Sequence, residues 1–411
     1  MTQLPAKGTP WTDLERELAA AKADDVDWVN GRAAVYIHYA GEDVLEVAKK
    51  AYLMYFSENG LGPNAFKSLA RFENDVVNMG LGLLNGGPDA LGAMTTGGTE
   101  SIFLAVKAAR DRARARNPNL GTPEILLAQT AHPAFDKAAH FMGLTTRRLP
   151  VRADFTADPE AMRAAVGPQT IMLVGSAPAF PHGVVDPITE IAAVARDHDL
   201  WMHVDACVGG YIAPFARKLG VDLPPFDFAV PGVTSISADL HKYGYTAKGA
   251  SSLFFRDGDA FRFMIYDFDN WPRGRYITKT LVGTRAGGAI AAAWAVMNYL
   301  GEEGYLRVTE RILAVRRRLE EGVTRLGLKV WGQPQLGIMA YGSEDRDIRA
   351  IGERLAARGW LVGYLTQPWG IHLMLNLTHE PIVDAYLADL AAAIDEAAAV
   401  SEPSTAAASY S

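Results

Sequence analysis

Between residues 91 and 255 the chain alternates short apolar runs with helix-patterned stretches, and this alternation leaves few folds open to it. Residues 91–96, 124–128, 171–174, 201–205, 235–237 and 251–255 read as strands, most of them too apolar to leave a face in water. Residues 99–116, 132–143 and 188–198 lie between them with helical patterning. Short buried strands joined through helices pack into a mostly parallel α/β sheet. A chain of 411 residues exceeds what one core usually holds, so a smaller satellite domain is expected beside the sheet.

Two short helices, residues 12–22 and 44–56, precede a break at Gly60-Leu-Gly-Pro63, where the main domain is expected to start. A long helical pattern over residues 286–318 leads into an α+β unit, with strands at 337–341 and 370–376 and helices at 348–358 and 382–398. The expected organisation is an N-terminal helical segment over 1–60, a large domain over 61–305, a small C-terminal domain over 306–400 and a flexible tail over 401–411.

Composition excludes several classes of function. A net charge of -7 without any basic block gives nothing to track a nucleic-acid backbone. Cys207 is the single cysteine, which rules out an intramolecular disulfide and a thiolate zinc cluster and suits a reducing cytoplasm. The first residues lack the apolar core of a signal peptide, and residues 286–300 are too short and too rich in Ala and Gly to cross a bilayer. The expectation is a soluble cytoplasmic protein without a membrane anchor.

The chemistry concentrates in two strand ends and the turns after them. Lys242 lies in Ser237-Ala-Asp-Leu-His-Lys-Tyr-Gly-Tyr245 among aromatic and small residues, where desolvation would lower its pKa and make it an imine-forming amine. Asp205 ends the strand of His203-Val-Asp-Ala-Cys207, placed to hold a protonated pyridine nitrogen. It could equally cap the next helix, or pair with His203 on a metal, though two ligands are too few for a metal site. Thr95-Thr-Gly-Gly-Thr-Glu-Ser101 opens a helix and could cradle a phosphate or merely turn the chain. His132, in Ala131-His-Pro-Ala-Phe135, could stack on a planar cofactor or cap its own helix. Gly80-Leu-Gly-Leu-Leu-Asn-Gly86 misses the dinucleotide spacing by one residue, and no Gly-x-Ser-x-Gly elbow occurs.

Over about residues 36–378 these motifs, with Gly175-Ser-Ala-Pro-Ala-Phe-Pro-His-Gly183 and Gly283-Thr-Arg-Ala-Gly-Gly288, resemble the group II decarboxylase family of fold-type I pyridoxal phosphate enzymes, and within it the sphingosine-1-phosphate lyases. The resemblance implies a homodimer with shared active sites and pyridoxal 5'-phosphate as cofactor. It implies Lys242 as the Schiff-base lysine, Asp205 on the ring nitrogen and His132 stacked on the ring. Gly98, Thr99 and His241 would help hold the phosphate, and Thr284 would reach the neighbouring subunit's site. Tyr36 and Tyr276 match positions with a catalytic role, while Asn59, Lys248 and Tyr276 match positions bordering the substrate. The loop after Asn59 departs from the family: Gly60 stands where the lyases usually carry proline, and Gly62 where they carry a histidine near the substrate phosphate.

The resemblance implies retro-aldol cleavage of a phosphorylated long-chain amino alcohol. An amino-acid decarboxylase is the alternative, since both reactions begin from the same cofactor–substrate linkage, and a third reading is a cofactor-binding protein that has lost turnover.

Overall fold

The computed structural model describes residues 3–399, so the expected tail lies outside the described residues. The first sheet contains β1 (Leu91–Thr95), β2 (Glu124–Ala128), β3 (Thr145–Leu149), β4 (Thr170–Ser176), β5 (Trp201–Asp205), β6 (Ser235–Ala238) and β7 (Ser251–Phe255), in the order β1-β7-β6-β5-β4-β2-β3. The pairings from β6 through β5, β4 and β2 to β3 are parallel, and β7 runs antiparallel to both its neighbours. This is the mostly parallel α/β sheet that the alternation predicts.

Alternate side chains feed two cores, one on each face, as a strand's period of two requires. Ile125 and Leu127 pack with Phe135, Trp201 and Leu253, whereas Leu126 packs with Leu173, Val204 and Ile236. Every residue of β4, β5, β6 and β7 is buried. Edge strand β3 reads Thr-Thr-Arg-Arg-Leu and is only half-buried, the charged composition that protects a sheet edge and that hid it from the apolar-run criterion.

Helix Lys67–Leu83 is absent from the sequence expectation because its Gly80 and Gly82 argue against a helix. Packing decides otherwise. Its Leu69, Phe72, Val76, Val77 and Leu81 are buried, and a Cβ at Gly80 would lie 2.4 Å from Phe254 Cζ, so glycine there lets the helix close on the sheet. The long helix spans Gly287–Arg325 but is broken at Gly301, with φ 53 and ψ -175.

A hairpin of β8 (Tyr266–Phe268) and β9 (Tyr276–Thr278) stands apart on the surface. The C-terminal unit is an antiparallel sheet of β10 (Lys329–Val330), β11 (Ile338–Gly342), β12 (Gly363–Thr366) and β13 (Trp369–Met374), in the order β10-β11-β13-β12. The N-terminal segment joins it: Ala34 N donates to Leu361 O at 2.9 Å, and Met374 N donates to Ala34 O at 2.7 Å.

A buried ion pair fastens the loop after Asn59 to the start of the cavity described below. Arg285 Nη1 and Nη2 reach Glu73 Oε1 and Oε2 at 2.7 and 2.8 Å, and the same guanidinium donates to Met94 O and Gly60 O. Replacing Glu73 with Gln would leave that guanidinium buried beside a neutral partner, and a loss of about 3–5 kcal/mol is expected in chemical denaturation.

Four histidines are buried and neutral: burial pushes His182, His203, His372 and His379 each down to about 4. Between their ordinary 6.5 and about 4, only the unfolded chain takes up these protons. Stability is therefore full above the upper value and falls as the pH drops towards the lower. Asp186, raised by burial to about 6, acts in the opposite sense, but it is one group against four. Thermal unfolding is expected to show a melting temperature that declines steadily from about pH 6.5 to about pH 4.

Candidate active site

The C-terminal ends of β1, β4, β5 and β6 open on one cavity of about 420 Å3, where α/β sheets place their ligands. Gly98, Thr99, His132, Asp205, His241 and Lys242 all line it, so six of the residues singled out in sequence meet there.

Asp205 is fixed from behind. Cys207 N and Ser237 Oγ donate to its Oδ1 at 3.1 and 3.3 Å. The ring nitrogens of His203 contact Ser235 Oγ at 2.8 Å and Ser237 Oγ at 3.2 Å, which engages the histidine in the strand layer rather than with Asp205 on a metal. Among the described residues no group of three or more His, Cys, Asp or Glu side chains could hold a metal ion.

Lys242 departs from the expectation of a lowered pKa. Burial does act to lower it, but the carboxylates of Asp239 and Asp205, the nearby Cys207 and the hydrogen bond that the ammonium donates to Asp239 outweigh that effect and raise it. Asp239 Oδ2 lies 3.0 Å from Lys242 Nζ and is itself buried. Lys242 thus faces a buried carboxylate three residues away, and Asp239 is the residue that sequence reasoning left unassigned. Its signal was present in Asp239-Leu-His-Lys242, a carboxylate one turn before the amine.

His132 caps its own helix as well as lining the cavity. Its Nδ1 accepts from Ala134 N at 3.1 Å, which leaves the proton on Nε2, and burial lowers its pKa, so the ring is neutral. Phe180 stands edge-on to it at 6.5 Å.

Gly97 and Gly98 begin the helix Gly98–Arg116 without a side-chain N-cap, leaving backbone N–H groups for an anion. A Cβ at Gly98 would meet Asp239 Oδ2 and Cys207 Sγ at 2.8 Å each, so the cradle admits no side chain. His241 Nδ1 is buried without a partner beside it. Pyridoxal phosphate matches this set: a glycine cradle and an unsatisfied imidazole nitrogen for the phosphate, a neutral ring for stacking, a fixed carboxylate for the ring nitrogen and an amine for the aldehyde.

The remaining candidates lie outside that cavity in the single chain. Tyr36 lines an adjoining cavity and has φ +68, a conformation costing a non-glycine residue roughly 1–3 kcal/mol. Lys248 Nζ holds it there, donating to Tyr36 O and to His241 O at 3.3 Å each. Tyr276, Thr284 and Asn59 form a second group on the surface. Asn59 bridges to Ala286, and a Cβ at Gly283 would lie 3.7 Å from Tyr276 Oη and 3.9 Å from Leu61 Cδ1.

Residues 68–330 match the pyridoxal-dependent decarboxylase conserved domain, and the chain belongs to that family. It is accordingly a pyridoxal phosphate-dependent lyase. Sphingosine-1-phosphate lyase of Oryza sativa subsp. japonica is 40% identical over 403 residues, covering 96% of this chain and 74% of that protein. The solved sphingosine-1-phosphate lyase of Burkholderia pseudomallei K96243 is 35% identical with a TM-score of 0.93, over 97% of this chain and 93% of that one. A probable L-tyrosine/L-aspartate decarboxylase of Methanothermobacter thermautotrophicus is 34% identical over 80% of this chain and 88% of that protein.

Charge pairing makes the Asp239–Lys242 contact testable. Burial acts to raise the pKa of Asp239, but Lys242 and His241 more than reverse this, so its net shift is downward. The pair's stabilisation is present above the ordinary Asp value of 3.8 and is lost as pH falls through the depressed value; at the alkaline end it is present below 10.5 and lost as pH rises through the raised Lys242 value. Asp239→Asn in the cofactor-free protein is expected to destabilise by about 3–5 kcal/mol at neutral pH. Denaturation curves should show the gap to wild type narrowing as the medium is acidified below pH 3.8.

Proposed function

We propose that this protein cleaves a phosphorylated long-chain amino alcohol by a retro-aldol reaction, releasing an aldehyde and phosphoethanolamine. The observation that carries the reading is the cavity beside the cofactor site. It measures about 580 Å3, shares His132 and Phe180 with that site, and has mostly apolar walls. The lyases to which the chain is similar across nearly its whole length support the same substrate class. At Gly62 a Cβ would meet only Ala65 Cβ, at 3.7 Å, an ordinary contact, so the backbone there does not itself demand glycine.

Bound pyridoxal phosphate supplies the electron sink that lets a bond at the amine-bearing carbon break. Asp205 holds the proton on the ring nitrogen, and the hydrogen bonds from Cys207 N and Ser237 Oγ keep its carboxylate oriented. The neutral ring of His132 would stack on the cofactor ring and hold it in place in the cavity. Lys242 Nζ is placed to bond the cofactor and, when free, would carry a proton within the cavity, with Asp239 Oδ2 steadying its charged form. A base, for which Tyr36 and Tyr276 are the candidates, takes the β-hydroxyl proton as Cα–Cβ breaks; the aldehyde leaves and Cα regains a proton.

The active form is proposed to be a cytoplasmic homodimer. Large apolar side chains are exposed around Asn59, Tyr276 and Thr284, among them Met54, Phe56, Leu61, Trp271, Ile277 and Leu281, and a second copy covering them would bring that group to the partner's cavity. Among the described residues no helix is long and apolar enough to cross a membrane.

Decarboxylation is the second reading, favoured by the decarboxylase relative that aligns over most of its own length. Product analysis by mass separates the two: aldehyde with phosphoethanolamine from a phosphorylated sphingoid base, or amine with carbon dioxide from an amino acid. Lys242→Ala is expected to lower turnover by at least about 10²–10⁴-fold. Turnover unchanged in that variant would remove Lys242 from the chemistry.

A further inference from the structure

The adjoining cavity continues beyond the cofactor site. Gln129, Thr130, Pro181, Tyr364 and Leu365 line both it and a further cavity of about 340 Å3, so the three spaces form one groove. The groove starts at Lys242, passes His132 and Phe180, runs beneath β12 and ends at Gln367, in the turn between β12 and β13.

Carbon dominates its middle section, where Val35, Ala131, Pro133, Phe180 and Leu365 supply the walls. The charged groups there neutralise one another: Arg148 Nη2 lies 2.5 Å from Asp136 Oδ2, and Arg148 Nη1 donates to the carbonyls of Ala128, Gln129 and Ala131. Neither charge is left to recruit a polar ligand. Gly363 keeps the passage open, since a Cβ there would stand 3.2 Å from Val35 Cγ1 and 3.3 Å from His372 Cδ2. At the far mouth Gln129 Nε2 donates to Gln367 Oε1.

We infer that the groove seats the aliphatic chain of the substrate, with Leu365 and then Thr366 setting how far that chain reaches. The inference rests on the lyase reading for the group at the reacting end. An apolar middle section whose charges are already paired gains from an alkyl chain through the water each methylene leaves behind, and offers little to a short polar amino acid. Leu365 lines both outer cavities, whereas Thr366 lines only the last. The two positions therefore mark successive lengths along one path.

The test uses the cofactor-loaded enzyme, with Leu365→Trp and Thr366→Trp beside wild type. Both residues lie on the edge strand of the small sheet, where an aromatic side chain suits the backbone. Calorimetry measures binding of unbranched alkyl amines of about four to about eighteen carbons, and aldehyde release is measured with the matching amino-alcohol phosphates. In wild type, affinity should rise about fourfold per methylene, the equivalent of about 0.8 kcal/mol, until the groove is full. Leu365→Trp should stop that rise at a shorter chain than Thr366→Trp, and both should bind the shortest amine as wild type does. A wild type indifferent to chain length, or variants that weaken every chain equally, would overturn the assignment. Length-dependent amine binding without aldehyde release would leave the groove standing and sink the lyase reading instead.

Discussion

Burial of both faces of the seven-stranded sheet is the constraint on which the rest depends. Strands whose side chains all enter one core or the other have no lateral position for polar chemistry, so reactive groups can emerge only where strands end. Asp205 ends β5, Asp239 follows β6 and the glycine cradle follows β1, and their common direction brings three sequence-distant segments to one cavity. Close packing sets the distances: Gly80 brings a helix against Phe254, and Gly98 brings another against Asp239 and Cys207.

Electrostatics then couples the charged groups of that cavity. A lone buried ammonium would lose its proton, but Asp239 at 3.0 Å retains it, and the same carboxylate is kept ionised by the amine. Neutral histidines surround the pair. The site therefore holds its charge in one contact, and a ligand that takes over the amine also releases Asp239 from it. The ion pair of Glu73 and Arg285 performs a mechanical task in the same region, tying the loop after Asn59 to the residue before the cradle.

The central strands were legible because they are apolar runs of the right length, and β5 and β7 match their expected bounds. Elements whose stability comes from context were not. Edge strand β3 is polar because it faces water, helix Lys67–Leu83 carries glycines because it packs closely, and the bridging helix conceals a break at Gly301 that its apolar pattern runs straight through. The six cofactor-cavity candidates carried local motifs, and the structure brings those motifs together. Asp239 carried a signal too, a carboxylate three residues before the amine, but a weak one, since that spacing is common on any surface.

Sequence alone determined the sheet class, the amine, the carboxylate and the glycine turn, since each depends on residue type and local order. Tertiary structure placed Asp239 against Lys242, made the hydrogen bond that sets the tautomer of His132 and brought the three cavities side by side. Those depend on distances between segments far apart in the chain: a pKa answers to the charge that packing places beside it, and a groove exists only where several elements fail to fill the space between them.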